Sequence, residues 1–344
     1  MKMGVGGHVS ISTIFVFVFF SILLSSTQAA IKPDGNDFHV GFYRKTCPRA
    51  EEIVADVVLR AMSRDPGIAA GLIRLLFHDC FVNGCDASIL LDSTPSGAPV
   101  EKESPANGGT LRGLEVIDEI KAQVEQECPG VVSCADILAF ASRDAALLSG
   151  LSNHRVPAGR RDGLSSRAAD TLGNLPSPSS YINDIAGVFA TKGLSLEEMV
   201  ILTGAHSIGV SHCSSFDYRL YNFSSTQRTD PDLDMLHASY LSAKCPRPES
   251  LLGKVKGDGA VNFDHLSPHR LDNAFYVHLL QGKALLQSDQ AMANDPKTSR
   301  IVHRMAFHPI SWSRLFAKAM IRLGSVDVLT GTEGEIRKNC RSVN

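Results

Sequence analysis

The stretch from Arg74 to Ser88 holds the side chains best suited to chemistry: Arg74, His78, Asp79, Asp86 and Ser88, with Phe77 among them. If residues 68–78 form a helix, Arg74 and His78 stand at i and i+4, so a cation and an imidazole share one face and can address one small ligand. That is a general base beside a positive charge. The plain structural alternative is a helix C-terminus that favours a His and leaves the Arg solvated. Just beyond, Asp79, Asp86 and Ser88 alternate with the carbonyls of Val82 and Gly84, in a loop that Cys80 and Cys85 could close. Hard oxygen ligands in a tight loop suit Ca2+; an ordinary Asx-turn loop is the alternative. A second histidine, His206, lies in LTGAHSIG between small residues that leave room for a flat group, or it is a packed core histidine. A zinc hydrolase would need another pattern. His265 and His269 have i,i+4 spacing, but Pro268 lies between them and no H-E-x-x-H occurs.

These side chains need elements to hold them. Apolar residues recur at helical spacing in Ala50-Ile53-Val54-Val57-Val58-Met62, in Leu114-Ile117-Ile120-Val124 and in Ala135-Leu138-Ala139-Ala145-Leu148, which predicts three amphipathic helices. Ser195-Leu196-Glu197-Glu198 is a capping box that opens another helix running towards His206. Strands are hard to find. Pro- and Gly-rich loops at 93–109 and 173–180 need something to fasten them, and disulfides or metal ions are the candidates. The fold class is therefore all-α with pinned loops. At 344 residues the chain can form two or three ordinary domains or one large domain with two lobes. No internal repeat or low-complexity tract divides it. A 44% apolar fraction, 20% charge and a net charge of -2 exclude disordered and collagen-like classes and offer no basic field for nucleic acid.

The N-terminus reads separately. Lys2, the apolar run at 11–24 (ISTIFVFVFFSILL) and the small polar residues after it form a secretory signal with cleavage near Ala29 or Ala30. The run is short for a membrane anchor of about 20 residues. Residues 1–30 are thus set apart from the folded part, 31–344. In a secreted protein the eight cysteines, Cys47, Cys80, Cys85, Cys128, Cys134, Cys213, Cys245 and Cys340, favour four disulfides over zinc ligation, and none has C-x-x-C spacing. Sequence arithmetic leaves their pairing open. Asn222-Phe223-Ser224 is a glycan acceptor sequon, expected on an exposed loop.

Taken together, RLLFHDCFVNGCDASILL, VSCADIL, VPAGRRDG, GAHSIG, NFD…LDN, QSDQ and LTGTEGEIRKNCR resemble, in order from about Phe42 to Asn344, the class III secretory plant peroxidases. These are haem enzymes that oxidise phenols with hydrogen peroxide. Ascorbate and cytochrome c peroxidases share the two histidines but usually lack this cysteine set and are intracellular. The resemblance implies two mainly helical lobes, roughly 31–180 and 181–330, with one haem b between them and a C-terminal segment tied back by Cys340. It implies that His206 ligates iron, that Asp289 accepts the other ring N–H of His206, and that Phe77 and Phe263 adjoin the haem. It makes His78 the general base and acid, Arg74 the charge stabiliser, and Asn107 the partner that fixes the tautomer of His78.

The same resemblance pairs Cys47 with Cys128, Cys80 with Cys85, Cys134 with Cys340 and Cys213 with Cys245. It implies two calcium ions. Asp79, Val82, Gly84, Asp86, Ser88 and, through water, Glu101 would hold the one beside His78, called distal below. Ser207, Asp264, Ser267, Arg270 (by its carbonyl) and Asp272 would hold the one beside His206, called proximal. Asp136 and Arg160 resemble a buried structural ion pair, and Pro176 a donor-site residue. Three departures bear on that donor site: Gly67 replaces an Arg, Pro105 a Phe, and Ser179 and Ser180 replace aromatics. The implied partners are hydrogen peroxide and small phenols, and a monomer is expected. Only four residues follow Cys340, which favours the extracellular space or wall over the vacuole. The different-class alternative is a secreted calcium-stabilised binding or wall protein of this fold without catalysis.

Overall fold

Apolar periodicity becomes helix almost wherever it was read. A computed structural model describes residues 37–247 and 258–344, with Met1, Met3 and Gly4; the expected signal, with its apolar run and cleavage site, lies outside the described residues. Helix α1 (Ala50–Arg64) buries Ile53, Val54, Val57, Val58 and Ala61, with Glu51 and Glu52 in its first turn and Arg64 in its last, the charge order the helix dipole favours. Helix α2 (Ile68–Val82) is apolar nearly all round and correspondingly central. It extends four residues beyond His78, so His78 lies inside the helix and the helix-end reading falls away. Helix α3 (Leu114–Glu127) follows, then α4 (Cys134–Leu148), opened by Ser133, whose Oγ accepts the Asp136 N–H at 3.1 Å.

The second half continues with α5 (Ile182–Thr191) and α6 (Leu196–Thr203). The expected capping box is present in α6: Ser195 Oγ accepts the Glu198 N–H, and Glu198 Oε2 accepts the Ser195 N–H at 2.8 Å. Next come α7 (Tyr218–Tyr221), α8 (Met235–Lys244), α9 (Ala274–Leu280), α10 (Gln287–Asn294), α11 (Ser299–Phe307) and α12 (Pro309–Leu323), the last opened by proline at its first turn. The described strands are short. Strand β1 (His39–Val40) pairs antiparallel with β2 (Pro157–Ala158), and β3 (Val210–His212) with β4 (Ala260–Asn262) in the register Val210↔Asn262.

Packing falls into two sets, α1 to α4 around α2 and α4, and α5, α6 and α9 to α12 around α11. One hydrophobic core runs through both, and a smaller cluster of Phe216, Leu220, Leu241, Val261 and Leu286 lies under α7, α8 and the β3–β4 ladder. The rings of Phe77 and Phe81 on α2 meet Phe189 on α5, joining the sets. Gly204 marks another tight joint: a Cβ there would lie 2.6 Å from the Tyr276 hydroxyl and 2.8 Å from Trp312 Nε1. That hydroxyl accepts from Trp312 Nε1–H and donates to the Val200 or Ile201 carbonyl, fastening α6, α9 and α12 just before His206.

All four implied disulfides form, and among the described residues no cysteine is free. The Cys134–Cys340 bridge spans 206 residues, a loop for which the chain-entropy model gives about 5 kcal/mol. Asp136 and Arg160 form the buried ion pair at 2.7 Å. Tyr43 and the Gly159 N–H donate to the Asp136 carboxylate, and Arg160 also reaches the Pro157 and Gly324 carbonyls. Each partner is satisfied on several sides, the condition under which a buried pair is tolerated. No described helix is long and apolar enough to cross a membrane.

Candidate active site

Helix α2 puts Arg74 and His78 one turn apart, and Arg74 Nε donates to His78 Nε2 at 3.2 Å. The loop from Glu101 to Thr110 supplies every other partner. His78 Nδ1 lies 2.5 Å from Asn107 Oδ1, and the Asn107 amide nitrogen donates to the Glu101 carbonyl at 2.7 Å. With the amide nitrogen so engaged, Oδ1 must accept, so Nδ1 carries the ring proton and Nε2 keeps its lone pair. Burial, then the charge of Arg74, push the His78 imidazole down to about 3, against the hydrogen bond of Asn107. The ring is therefore neutral at physiological pH. Arg74 is held by the Thr110 carbonyl at 3.2 Å, the Thr110 hydroxyl at 3.0 Å and the Ala106 carbonyl at 3.3 Å. Thr110 and Ala106 had no signal in the sequence; they are ordinary residue types that matter only by where the loop brings them.

His206 sits in a short 3-10 turn directly after α6. Its Nδ1–H donates to Asp289 Oδ2 at 2.9 Å from α10, and its ring stacks on Phe263 at 4.3 Å with the planes 5° apart. Asp289 is buried, whereas the His206 side chain is 35% exposed. No described residue hydrogen-bonds its Nε2. Three residues on, the chain touches α2: a Cβ on Gly209 would lie 2.8 Å from the Ala70 Cβ. Phe77, on the same helix, meets the His78 ring edge-on.

The distal loop concentrates buried acid. Asp79, Asp86 and Glu101 are all buried with Ser88. Asp79 takes the Ala87 N–H at 3.0 Å, Asp86 the Ser88 N–H at 3.0 Å and Glu101 the Asn83 amide at 3.1 Å. Yet among the described residues Ser88 Oγ and Glu101 Oε2 have no hydrogen-bond partner. Burial, with Asp86 and Glu101 adding repulsion, holds the Asp79 carboxyl well above the usual range. Burial likewise pushes Asp86 up to about 6 and Glu101 up to about 8. Gly84, at φ +95°, lets the loop turn there. The Val82 carbonyl accepts from the buried ammonium of Lys192 at 3.2 Å, a contact the sequence did not suggest. Crowded, underneutralised oxygens with orphaned lone pairs fit a divalent cation.

The proximal set is more self-contained. Asp264 takes the Leu266 N–H and the Ser267 hydroxyl, each at 2.7 Å, and Ser207 Oγ takes the Asp272 N–H at 3.1 Å. Burial alone would raise Asp264, but the hydrogen bonds of Ser267 and Leu266 hold it below its ordinary value. The Arg270 side chain is exposed and pairs with Asp272 at 3.4 Å, leaving only its carbonyl for any inward role. The donor set is again oxygen-rich.

The three departures lie as follows. Gly67 precedes α2, where a Cβ would lie 2.9 Å from the Arg112 guanidinium. Pro105 is exposed and Pro176 half-buried. Ser179 and Ser180 knit a turn, Ser179 Oγ lying 3.2 Å from Ser177 Oγ and Ser180 Oγ accepting the Ser177 N–H at 3.0 Å. Asn222 caps the end of α7 and is exposed.

Comparison with known proteins agrees with this arrangement. Residues 54–308 match the family model described as Peroxidase. The chain is 45% identical to Peroxidase 5 of Vitis vinifera over 97% of both chains, 42% identical to Peroxidase 2 of Zea mays over 96% of both, and 43% identical to Peroxidase 15 of Arabidopsis thaliana over 90% of both. A neutral, oriented imidazole beside a fixed guanidinium on one element, and a carboxylate-backed imidazole with a free nitrogen on another, are thus carried by a chain that belongs to the peroxidase family, in its class III plant branch.

Proposed function

We propose that the chain is a secreted, haem-dependent peroxidase that reduces hydrogen peroxide to water while two phenol molecules each give up one electron and one proton. The observation that carries this reading is the His78–Asn107–Glu101 relay with Arg74 beside it, on a chain of this family. A binding protein would need no unprotonated imidazole nitrogen turned towards a fixed cation.

The residues fit a haem b. His206 offers Nε2 to iron while Asp289 fixes the opposite nitrogen and strengthens the ring as a donor. Phe263 keeps that ring from rotating, and Phe77 supplies apolar surface. When bound, the haem supplies the redox-active iron at which the O–O bond is cleaved. His78 Nε2 takes a proton from one peroxide oxygen and returns it to the other, so that water departs. Arg74 stabilises the negative charge that develops on the departing oxygen, and its hydrogen bonds to Thr110 and Ala106 hold it where that charge forms.

Asp79, Asp86, Ser88 and Gly84, with Glu101 through a bridging water, would hold the distal calcium, with Val82 sharing its carbonyl with Lys192, and Ser207, Asp264, Ser267, Arg270 (by its carbonyl) and Asp272 the proximal one. The distal ion also matters to the base, because Glu101 orients Asn107 through its own carbonyl. The exposed sequon at Asn222 and the four disulfides suit a secreted glycoprotein. The test is direct. Purified protein should show the intense visible haem band and oxidise a phenol such as guaiacol only when peroxide is present. A colourless protein that still binds calcium would instead support the non-catalytic reading.

A further inference from the structure

On the far side of Asp264 from the proximal oxygen set, α8, the loop after β4 and α9 bring three histidines together. One ring nitrogen of His265, one of His278 and one carboxylate oxygen of Asp264 lie within 4.8 Å of one another. The ring of His265 stands 5.7 Å from that of His278 and 6.2 Å from that of His237, centre to centre. His278 and Asp264 are buried, and His265 is exposed. The second observation is independent of this grouping. His237 is more than nine-tenths buried, and among the described residues its buried Nε2 has no hydrogen-bond partner. A polar nitrogen left bare in the interior keeps its full desolvation penalty, which a ligand would relieve.

We propose that His237, His265 and His278, with the carboxylate of Asp264, form a binding site for a borderline divalent cation of the zinc class. Imidazole nitrogens with one carboxylate suit Zn2+ or Cu2+, whereas Ca2+ takes oxygens almost alone. Zinc–nitrogen bonds of about 2.0 to 2.1 Å need ligand atoms roughly 3.4 Å apart in a tetrahedron. The His265 ring is exposed and packs against His278, His237 and Tyr240, so binding would draw its nitrogen inward by about an ångström against those rings. Asp264 presents its two oxygens to different neighbours: Oδ2 accepts the Ser267 hydroxyl, while Oδ1 accepts the Leu266 N–H at 2.7 Å and lies 3.9 Å from His278 Nε2 with a second lone pair to offer. The same carboxylate can therefore serve the proximal oxygen cage on one side and the imidazoles on the other. The bound ion would tie three segments that are remote in sequence, and His265 would be its gate to solvent.

The experiment uses the haem-loaded, calcium-saturated protein. Zn2+ is titrated by calorimetry, Cu2+ is added as a spectroscopic probe, and calcium is measured in the same samples. The expected result is one Zn2+ per chain, with His265→Asn weakening binding at least tenfold and His278→Asn at least as much. The Cu2+ resonance should carry imidazole nitrogen couplings that diminish in both variants. Because His265 is exposed, its replacement should fold normally even if that of His278 does not. Equal zinc affinity in wild type and His265→Asn would overturn the proposal. So would zinc uptake that releases one calcium ion per zinc and persists in that variant, since the ion would then occupy the oxygen cage. Absence of calcium at the outset would count against the calcium reading alone and leave the zinc comparison decisive.

Discussion

His78 and His206 are oriented by one device with two different acceptors. Each turns its Nδ1 to an oxygen, but the oxygen belongs to the neutral amide of Asn107 in one case and to the carboxylate of Asp289 in the other. A neutral acceptor fixes the tautomer while adding little electron density, so buried His78 beside Arg74 stays a weak base that can give back what it takes. A charged acceptor makes the imidazole a stronger donor to a metal. The construction also differs. The distal partners come from one loop, residues 101–110, facing one helix, whereas His206, Phe263 and Asp289 come from three separate segments. Orientation is thus shared, and the acceptor suits one ring to the proposed proton carrier and the other to the proposed ligand.

The comparison breaks most visibly if the ligand histidine is removed. His206→Ala should lose the stable haem band outright, and Asp289→Asn should weaken haem retention or activity by about 10- to 100-fold. Normal haem content and spectrum in His206→Ala would show that another residue holds the iron. On the distal side the haem should stay. His78→Ala should slow the first peroxide step by about 10² to 10⁴ in stopped-flow measurements. Asn107→Val, which leaves the ring but removes its orienting oxygen, should cost roughly 10- to 100-fold with haem content intact. An unchanged rate in His78→Ala would end its assignment as the base.

Calcium removal should sharpen the contrast between the two loops. A cation present at about 100 times its Kd contributes about 2.7 kcal/mol, so exhaustive chelation should lower Tm by several degrees. Around the distal site three buried carboxylates held above their ordinary range would be left facing one another, whereas the hydrogen bonds to Asp264 already hold its carboxyl below its ordinary value. Glu101 also orients Asn107. The peroxide step should therefore fall together with Tm and recover on adding calcium back. Chelated protein with full rate and unchanged Tm would refute the cation's role.

The helices were legible because their signal is local: α1, α3, α4 and the capping box of α6 follow from spacing within one turn or two. Arg74 and His78 were legible for the same reason, since i and i+4 on a helix always share a face. Only family resemblance could supply Asn107 and Asp289, because their contacts cross 29 and 83 residues. The pairing of eight cysteines was likewise beyond spacing. Three features escaped both routes. The Lys192 contact to Val82 and the Thr110 contact to Arg74 depend on loop paths, and the cluster of His237, His265 and His278 depends on the tertiary approach of three segments. Ser179 and Ser180 show a different limit. Their small size was legible, but not that their hydroxyls close a turn whose neighbour, the Pro178 carbonyl, accepts the Ser288 N–H next to Asp289.

The smallest expected effect tests whether the distal loop works as a unit. The Thr110 hydroxyl donates to the Asn107 carbonyl at 2.9 Å and accepts from Arg74 at 3.0 Å, so one side chain joins the orienting residue to the charge stabiliser. Thr110→Val keeps the shape and removes only that joint. Arg74 would retain the Thr110 and Ala106 carbonyls, and Thr110 itself is exposed, so the loss should be about 1 kcal/mol, near the ordinary net value of a hydrogen bond. That corresponds to a roughly fivefold slower peroxide step, with haem content and the His206 side untouched. In a double variant with Asn107→Val, the Thr110 effect should largely vanish, because residues acting through one network are not additive. Full additivity of the two losses would mean that Thr110 acts on Arg74 alone and that the loop is not the unit the distal geometry implies.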